Sequence, residues 1–144
     1  MSQDADVTLL TKLCAAAAVL IGASAVLTGS LSAQSTGSFT SEQAQTGGKI
    51  FADQCSACHG QNLEGISGPA LAGKSFTDKW NGETADDLHY IVSTQMPLTA
   101  PGSLKPDEYI DLVAFILSRN GFSPGSTPLT PDKLKSIKFG AQGG

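Results

Sequence analysis

The sequence predicts an all-α domain with three main helices and no sheet. Capping signals mark helix starts, apolar residues recur at helical spacing behind them, and no hairpin signal occurs along the 144 residues. Segments rich in glycine and proline separate the helices. Once the flanking segments are set aside, the compact part is about 80–90 residues, which gives one domain with a small core.

The first helix is predicted to begin at residues 40–43, whose sequence Thr-Ser-Glu-Gln is a capping box. Phe39, just before the box, can pack as a hydrophobic staple. Apolar and small residues then recur at helical spacing as far as Cys55. Gly47 and Gly48 lie inside this helix, where each costs about 1 kcal/mol relative to Ala. We therefore expect another helix to cross closely at this flat surface.

Two more helices are predicted over residues 85–94 and 106–120. Thr84 is the expected cap of the earlier one, and Gly121 suits the C-terminal end of the later one. The stretch between the first and second helices, residues 60–83, is expected to be loop because glycines punctuate it. The last helix has an apolar stripe that consists of Tyr109, Leu112, Val113, Ile116 and Leu117, widened by Phe115.

Residues 55–59 read Cys-Ser-Ala-Cys-His, the C-x-x-C-H pattern of covalent c-type haem attachment. Thiols at this spacing, here Cys55 and Cys58, can add to the two vinyl groups on one porphyrin edge, and His59 then lies under the ring. A zinc site would need two more ligands, and only Cys14 and His89 remain. A thioredoxin-like pair would follow a strand, and none precedes the motif. The motif therefore indicates one haem c.

Composition excludes several other functions. Nine Lys and Arg face thirteen Asp and Glu, so the formal net charge of −4 gives nucleic-acid binding no electrostatic support. The chain has no Ser/His/Asp catalytic set, no phosphate-binding glycine loop and no internal repeat. Any chemistry is therefore expected from the haem iron.

Residues 1–33 are typical of a signal peptide or an N-terminal membrane anchor. The uncharged apolar run of residues 13–27 follows Lys12 and suits a secretory signal, with cleavage expected after Ala25 or Ala33. Two aspartates before the run are unusual in a signal peptide. An uncleaved anchor within residues 13–31 is the alternative. Either way we expect export to the periplasm, since c-type haem is attached outside the bacterial cytoplasm.

The remaining chain divides into three parts. Residues 34–39 are a polar linker, residues 40–121 form the predicted domain, and residues 122–144 form a C-terminal tail with several prolines and lysines.

Across residues 40–121 the chain resembles a class I (mono-haem) c-type cytochrome. In that family a Gly and an aromatic precede the first haem Cys by eight and four residues, as Gly47 and Phe51 do here. The family's C-terminal helix crosses at that Gly with a Leu and an aromatic three residues later, which Leu112 and Phe115 match. The resemblance implies the class I cytochrome c fold, with three main helices around one covalently bound haem.

The resemblance also assigns roles in the loop. Residues 68–71, Gly-Pro-Ala-Leu, are similar to the family segment in which the Pro carbonyl accepts the N–H of the haem-ligating His. This implies that Pro69 orients His59 and that Leu71 belongs to the haem-binding segment. Trp80 lies where such cytochromes often place an aromatic against the haem or its propionates. A core Trp with its N–H satisfied is the alternative.

Met96, 37 residues after His59, is the expected second axial ligand. Pro97 ends the helix and favours an extended Met96, whose thioether can then turn toward the iron. His89 is the rival ligand, although a histidine on a helix is more commonly a surface or hydrogen-bonded residue. An open iron position is the third possibility. His/Met ligation fills both axial positions and raises the reduction potential relative to bis-His ligation.

These observations predict an electron carrier rather than an enzyme, working in the periplasm between a dehydrogenase and a terminal oxidase or another cytochrome. The tail and the Met-Pro-Leu loop are similar to those of small cytochromes that accompany periplasmic sugar and alcohol dehydrogenases. An integral cytochrome subunit of a multi-subunit oxidoreductase is therefore the alternative. An open-site haem enzyme or sensor is a third class, which Met96 argues against. We expect redox-protein partners and no nucleic acid.

Overall fold

The computed structural model describes residues 37–140, and helices account for most of their regular structure. In chain order they are α1 (Ser41–Gln54), α2 (Ser56–His59), α3 (Lys74–Trp80), α4 (Ala85–Gln95), α5 (Pro106–Arg119) and α6 (Pro131–Leu134). Over this range there is no strand, and β pairing is limited to two isolated bridges. The all-α prediction is confirmed. The predicted signal or anchor and half of the linker lie outside the described residues.

Side-chain caps fix the starts of α1 and α4. The Thr40 amide donates to the Gln43 side chain, and the Gln43 amide donates to the Thr40 hydroxyl, both at 3.2 Å. Thr84 and Asp87 make the same reciprocal pair at the start of α4. These bonds satisfy N–H groups that the first turn of a helix leaves without partners, so the chain enters both helices where the capping signals predict.

Helices α1 and α5 cross at Gly47, and the crossing requires a glycine. A Cβ added to Gly47 would overlap the Asp111 carbonyl and lie 2.9 Å from the Leu112 nitrogen. One turn further along, the rings of Phe51 and Phe115 are in tilted contact with their centroids 5.3 Å apart. The predicted close crossing is confirmed, and it fixes the end of α1, where the cysteine motif follows.

Helix α5 supplies the largest share of the core, and its predicted apolar stripe is buried as expected. The buried residues of α5 are Tyr109, Ile110, Leu112, Val113, Ala114, Ile116 and Leu117. Phe115 is partly buried against this core. Helix α4 also contacts α5 and buries Leu88 and Val92.

Helix α3 lies in the stretch that the sequence predicts as loop, and that part of the prediction is wrong. The helix begins after Gly73, which has a φ of +78° and provides no capping side chain. Its two buried residues, Phe76 and Trp80, lie four positions apart on one face, with their rings stacked 5.7 Å apart. A helix this short is marginal alone, so packing of these two rings holds it in place.

The segment of residues 122–140, called here the C-terminal strap, packs on the domain, whereas the sequence predicts a tail outside residues 40–121. Its buried residues are Phe122, Leu129, Leu134, Ile137 and Phe139. The Leu129 amide donates to the Gln43 side chain of α1 at 2.7 Å. The Ala85 amide of α4 donates to the Ile137 carbonyl at 2.9 Å. The strap therefore connects the starts of two helices and completes the core.

Candidate haem-binding site

The cysteine motif lies at the junction of α1 and α2. The Cys55 amide donates to the Phe51 carbonyl at 2.9 Å and so ends α1, and the Cys55 carbonyl then accepts from the His59 amide at 3.0 Å. Both thiols are free, with Cys58 exposed and Cys55 half-buried. Burial raises the pKa of the Cys55 thiol to about 11, and Cys58 acts in the same direction. One tight turn thus carries two free thiols and an imidazole.

The ring of His59 is 8% exposed and is held by Pro69. Its Nδ1 lies 2.8 Å from the Pro69 carbonyl oxygen. Because a carbonyl can only accept, Nδ1 carries a proton, and in the neutral imidazole Nε2 then carries the lone pair. The hydrogen bond that the family resemblance implies is therefore present, and it leaves Nε2 as the nitrogen able to bind a metal.

Residues 66–68 fold back over the motif. The amides of Ile66, Ser67 and Gly68 donate to the Cys58 carbonyl at 3.0, 3.1 and 2.9 Å. At Gly68 an added Cβ would lie 2.8 Å from Cε1 of His59, so only glycine lets the backbone pass this close to the ring. The loop thereby fixes the imidazole from two sides, by contact at Gly68 and by the hydrogen bond at Pro69.

Leu71 and Trp80 both pack against the core. The Leu71 amide donates to the Leu63 carbonyl at 2.8 Å, and its side chain is partly buried against the core. The Trp80 ring is 7% exposed and meets Phe139 with centroids 5.8 Å apart. Trp80 is therefore part of an aromatic cluster, in agreement with the alternative of a core Trp, and a contact with a haem stays a prediction.

Met96 directly follows α4 and has the extended backbone that Pro97 favours, with φ −124° and ψ 154°. The Met96 side chain is half-buried, Pro97 is buried and Leu98 is exposed. The Met96 carbonyl accepts hydrogen bonds from the Tyr109 hydroxyl at 3.0 Å and from the Gly102 amide at 3.3 Å. The rival His89 is half-buried in the middle of α4. Burial lowers the pKa of His89, and Asp86 opposes that shift.

Two residues that hold these segments in place are absent from the sequence-based site. Tyr109 is predicted only as part of the apolar stripe, although a hydroxyl on a buried stripe needs a hydrogen-bond partner and signals a polar contact. Asn120, at the end of α5, donates from Nδ2 to the carbonyls of Leu71 and Ile116, both at 2.9 Å. It therefore ties α5 to the loop that holds His59, and no local sequence signal shows this contact.

Within residues 37–140 no group of three or more His, Cys, Asp or Glu side chains could hold a metal ion. The zinc alternative thus lacks its ligand set in this part of the chain. The same residues include no helix long and apolar enough to span a membrane.

Comparison with known proteins agrees with this geometry. The family model described as cytochrome c oxidase, cbb3-type, subunit III matches residues 42–116, more than half of the chain. The chain belongs to this family of c-type cytochromes. The helical structure is that of a mono-haem c-type cytochrome, and the family indicates electron transfer through haem c.

Among solved structures, the cytochrome is similar to the sulfane dehydrogenase SoxCD from Paracoccus pantotrophus. The two share 28% identity at a TM-score of 0.59, over 67% of this chain and 53% of that chain. The cytochrome therefore spans about half the length of the chain it matches. No curated protein matches the sequence.

The residues present fit a haem c. Two free thiols stand at C-x-x-C spacing, and the adjoining imidazole has its Nδ1 proton engaged and its Nε2 lone pair available. Gly68 lets the His59 ring keep its position, because a side chain at residue 68 would displace it. Cys55, Cys58 and His59 therefore fit the two thioether attachments and the histidine ligand that a haem c requires.

Proposed function

We propose that the chain is a periplasmic electron carrier with one haem c attached through Cys55 and Cys58, transferring electrons between a dehydrogenase and a terminal acceptor. The observation that carries the proposal is the buried His59 ring, whose Nδ1 is hydrogen-bonded to Pro69 directly beside the two free thiols. Such a bond fixes the tautomer and orientation of a metal-binding histidine and has no comparable use in a disulfide or a thiol redox pair.

Each residue of the site has a role in this proposal. A bound haem c supplies one-electron chemistry at its iron. The thiols of Cys55 and Cys58 would form the two thioether links, and Nε2 of His59 and the thioether sulfur of Met96 would be the protein's ligands to the iron. With both of these ligands supplied by side chains, a substrate would have no place on the metal, which supports a carrier rather than an enzyme.

The surface near the site suits a weak redox contact. Ile66, next to the motif in the fold, is 72% exposed, and Leu98, on the Met96 loop, is 77% exposed. Residues 40–121 carry ten acidic and five basic residues, so no lysine-rich surface steers a partner to this part of the domain. We expect partners to meet exposed apolar side chains such as Ile66 and Leu98.

A cytochrome subunit of a larger oxidoreductase is the second candidate function. The structural match to a dehydrogenase favours it. Copurification of a tagged chain from its host separates the two candidates, because a stoichiometric large subunit is expected only for the second.

The test of the proposed ligation is Met96→Ala. The oxidised wild-type protein should show one covalent haem and the weak far-red band of a sulfur–iron bond, and the substitution should abolish that band while the haem stays attached. His89→Ala is the control, since it removes the rival ligand and should leave the band unchanged. A band that survives in Met96→Ala, or disappears in His89→Ala, contradicts the assignment.

A further inference from the structure

The hydroxyl of Tyr109 joins two separate points of the Met96 loop. It donates to the Met96 carbonyl at 3.0 Å and accepts from the Leu104 amide at 3.2 Å. The ring itself is 4% exposed and belongs to the buried stripe of α5. A single buried phenol therefore closes the loop at its first and last residues, and it does so from the helix that forms the centre of the core.

Few other contacts hold this loop to the domain. Residues 98–103 are exposed, and the remaining backbone bonds run within the loop, such as Ala100 to Pro97 at 2.9 Å and Gly102 to Met96 at 3.3 Å. Among residues 37–140, Tyr109 is the side chain that hydrogen-bonds to the backbone of residues 96–104. Apart from burial of Pro97 and packing of Leu104 against the core, the position of Met96 thus depends on the end of α4 and on this phenol.

We infer that Tyr109 is a positioning residue, whose hydroxyl closes the loop of residues 96–104 and thereby keeps Met96 at the metal. The inference rests on the proposed ligation by Met96 and adds a residue outside the ligand set. Its basis is that one buried hydroxyl hydrogen-bonds to a backbone carbonyl at one end of an exposed loop and to a backbone amide at the other end.

Loss of the hydroxyl leaves the Leu104 amide without its partner and the Met96 carbonyl with one donor fewer. A hydrogen bond of this kind stabilises by an amount that corresponds to roughly a five- to tenfold change in an equilibrium. The open form of the loop, in which the methionine is away from the metal, should rise by about this factor. An external ligand that competes with Met96 should then bind more tightly by the same factor.

The experiment compares Tyr109→Phe with Tyr90→Phe in the full-length haem protein. Tyr90 is the other tyrosine of the chain and is 65% exposed, so its substitution removes a hydroxyl at the surface. Imidazole is titrated into the oxidised protein, and its binding is followed by loss of the far-red band. We expect Tyr109→Phe to bind imidazole roughly five- to tenfold more tightly than wild type, and Tyr90→Phe to match wild type.

Amide hydrogen exchange at Gly102 and Leu104 gives a second readout that is independent of the ligand on the iron. Tyr109→Phe should raise the exchange rate of Leu104 by a similar factor while amides in the centre of α5 keep theirs. A merely structural role would speed exchange throughout α5. Equal imidazole affinity and equal Leu104 exchange in Tyr109→Phe and wild type would overturn the inference.

The two proposals fail in different ways. If wild type lacks the far-red band, the ligation by Met96 is wrong, and the exchange rates alone decide whether Tyr109 closes the loop. If wild type shows the band and Tyr109→Phe behaves as wild type in both measurements, the ligation stands and the role of Tyr109 is rejected.

Discussion

The direction of one imidazole ring depends on two neighbouring backbone positions. Pro69 provides the carbonyl that accepts from Nδ1 of His59, and Gly68 provides the space that lets this carbonyl come within 2.8 Å. Neither residue contributes a functional side chain. A ligand histidine gains basicity from such a hydrogen bond, so the backbone of this segment sets part of the electronic character of the site.

Gly68→Ala should disturb this arrangement without touching the thiols. The new Cβ would press on Cε1 of His59 at 2.8 Å, and overpacking of this kind costs about 1–3 kcal/mol. We expect the haem to stay attached, the denaturant midpoint to fall, and the reduction potential to rise because a weaker bond to Pro69 makes His59 a poorer donor to Fe(III). Voltammetry measures the potential. Ser67→Ala, at an exposed neighbour, is the control, and a potential that moves equally in both variants would contradict the argument.

At the scale of elements, the crossing of α1 and α5 determines where the motif lies. The backbone of Gly47 touches the backbone of α5 at Asp111, whereas Gly48 faces the Phe115 ring at 3.2 Å from an added Cβ. The two glycines therefore differ in what they allow. Gly47 permits two helix backbones to touch, whereas Gly48 meets only a side chain that can move.

Alanine substitutions at Gly47 and Gly48 test this difference. Each substitution stabilises α1 by up to about 1 kcal/mol through its higher helix propensity. At Gly47 the overlap with α5 should outweigh that gain, so we expect Gly47→Ala to lower the free energy of unfolding by about 1–3 kcal/mol. Gly48→Ala should leave it unchanged or raise it slightly, because Phe115 can turn aside. Denaturant titrations give both values, and equal effects of the two changes would place the crossing elsewhere.

The elements that the sequence predicts well are those with signals inside their own residues. The capping box at Thr40 and the cap at Thr84 mark α1 and α4 to within a residue or two, and the stripe from Tyr109 to Leu117 identifies α5. Helix α3 is missed because Gly73 gives it no cap and only two apolar residues show its inner face. Packing from distant segments holds it, and such contacts leave no local pattern.

The residues of the site divide in the same way, into those with a local sequence signal and those without one. The spacing of Cys55, Cys58 and His59 is a local motif, and the bond to Pro69 follows from a family segment. The contacts of Tyr109 with Met96 and of Asn120 with Leu71 join residues far apart in the chain. Their partners are backbone groups, which every residue has, so residue type alone does not identify them.

For the molecule as a whole, the C-terminal strap is a structural part of the domain. Its residue Phe139 makes edge contacts with Phe76 and Phe122 at centroid distances of 5.2 and 5.9 Å, and it meets Trp80 as well. The Phe139 amide and carbonyl also bond to Glu83 and Gly82 just before α4. The aromatic cluster that stabilises α3 is thus completed by a residue near the end of the described chain.

Phe139→Ala should therefore destabilise the entire domain. Truncation of a buried phenylalanine costs about 3–5 kcal/mol, a large share of the 5–15 kcal/mol that stabilises a typical domain. We expect a lower thermal midpoint by circular dichroism. Lys138→Ala, at the exposed preceding residue, should change stability by less than about 0.5 kcal/mol. If Phe139→Ala were as stable as Lys138→Ala, the strap would be an appendage of the domain.

The position of the strap also sets an order of events during synthesis. A chain emerges N-terminus first, so residues 55–59 appear about 80 residues before Phe139 does. Until Leu129 and Ile137 arrive, Gln43 of α1 and Ala85 of α4 lack the hydrogen bonds that the strap provides, and the aromatic cluster lacks Phe139. Residues 55–59 are therefore available to fold well before the domain can close, and completion of its core waits for the final residues of the strap.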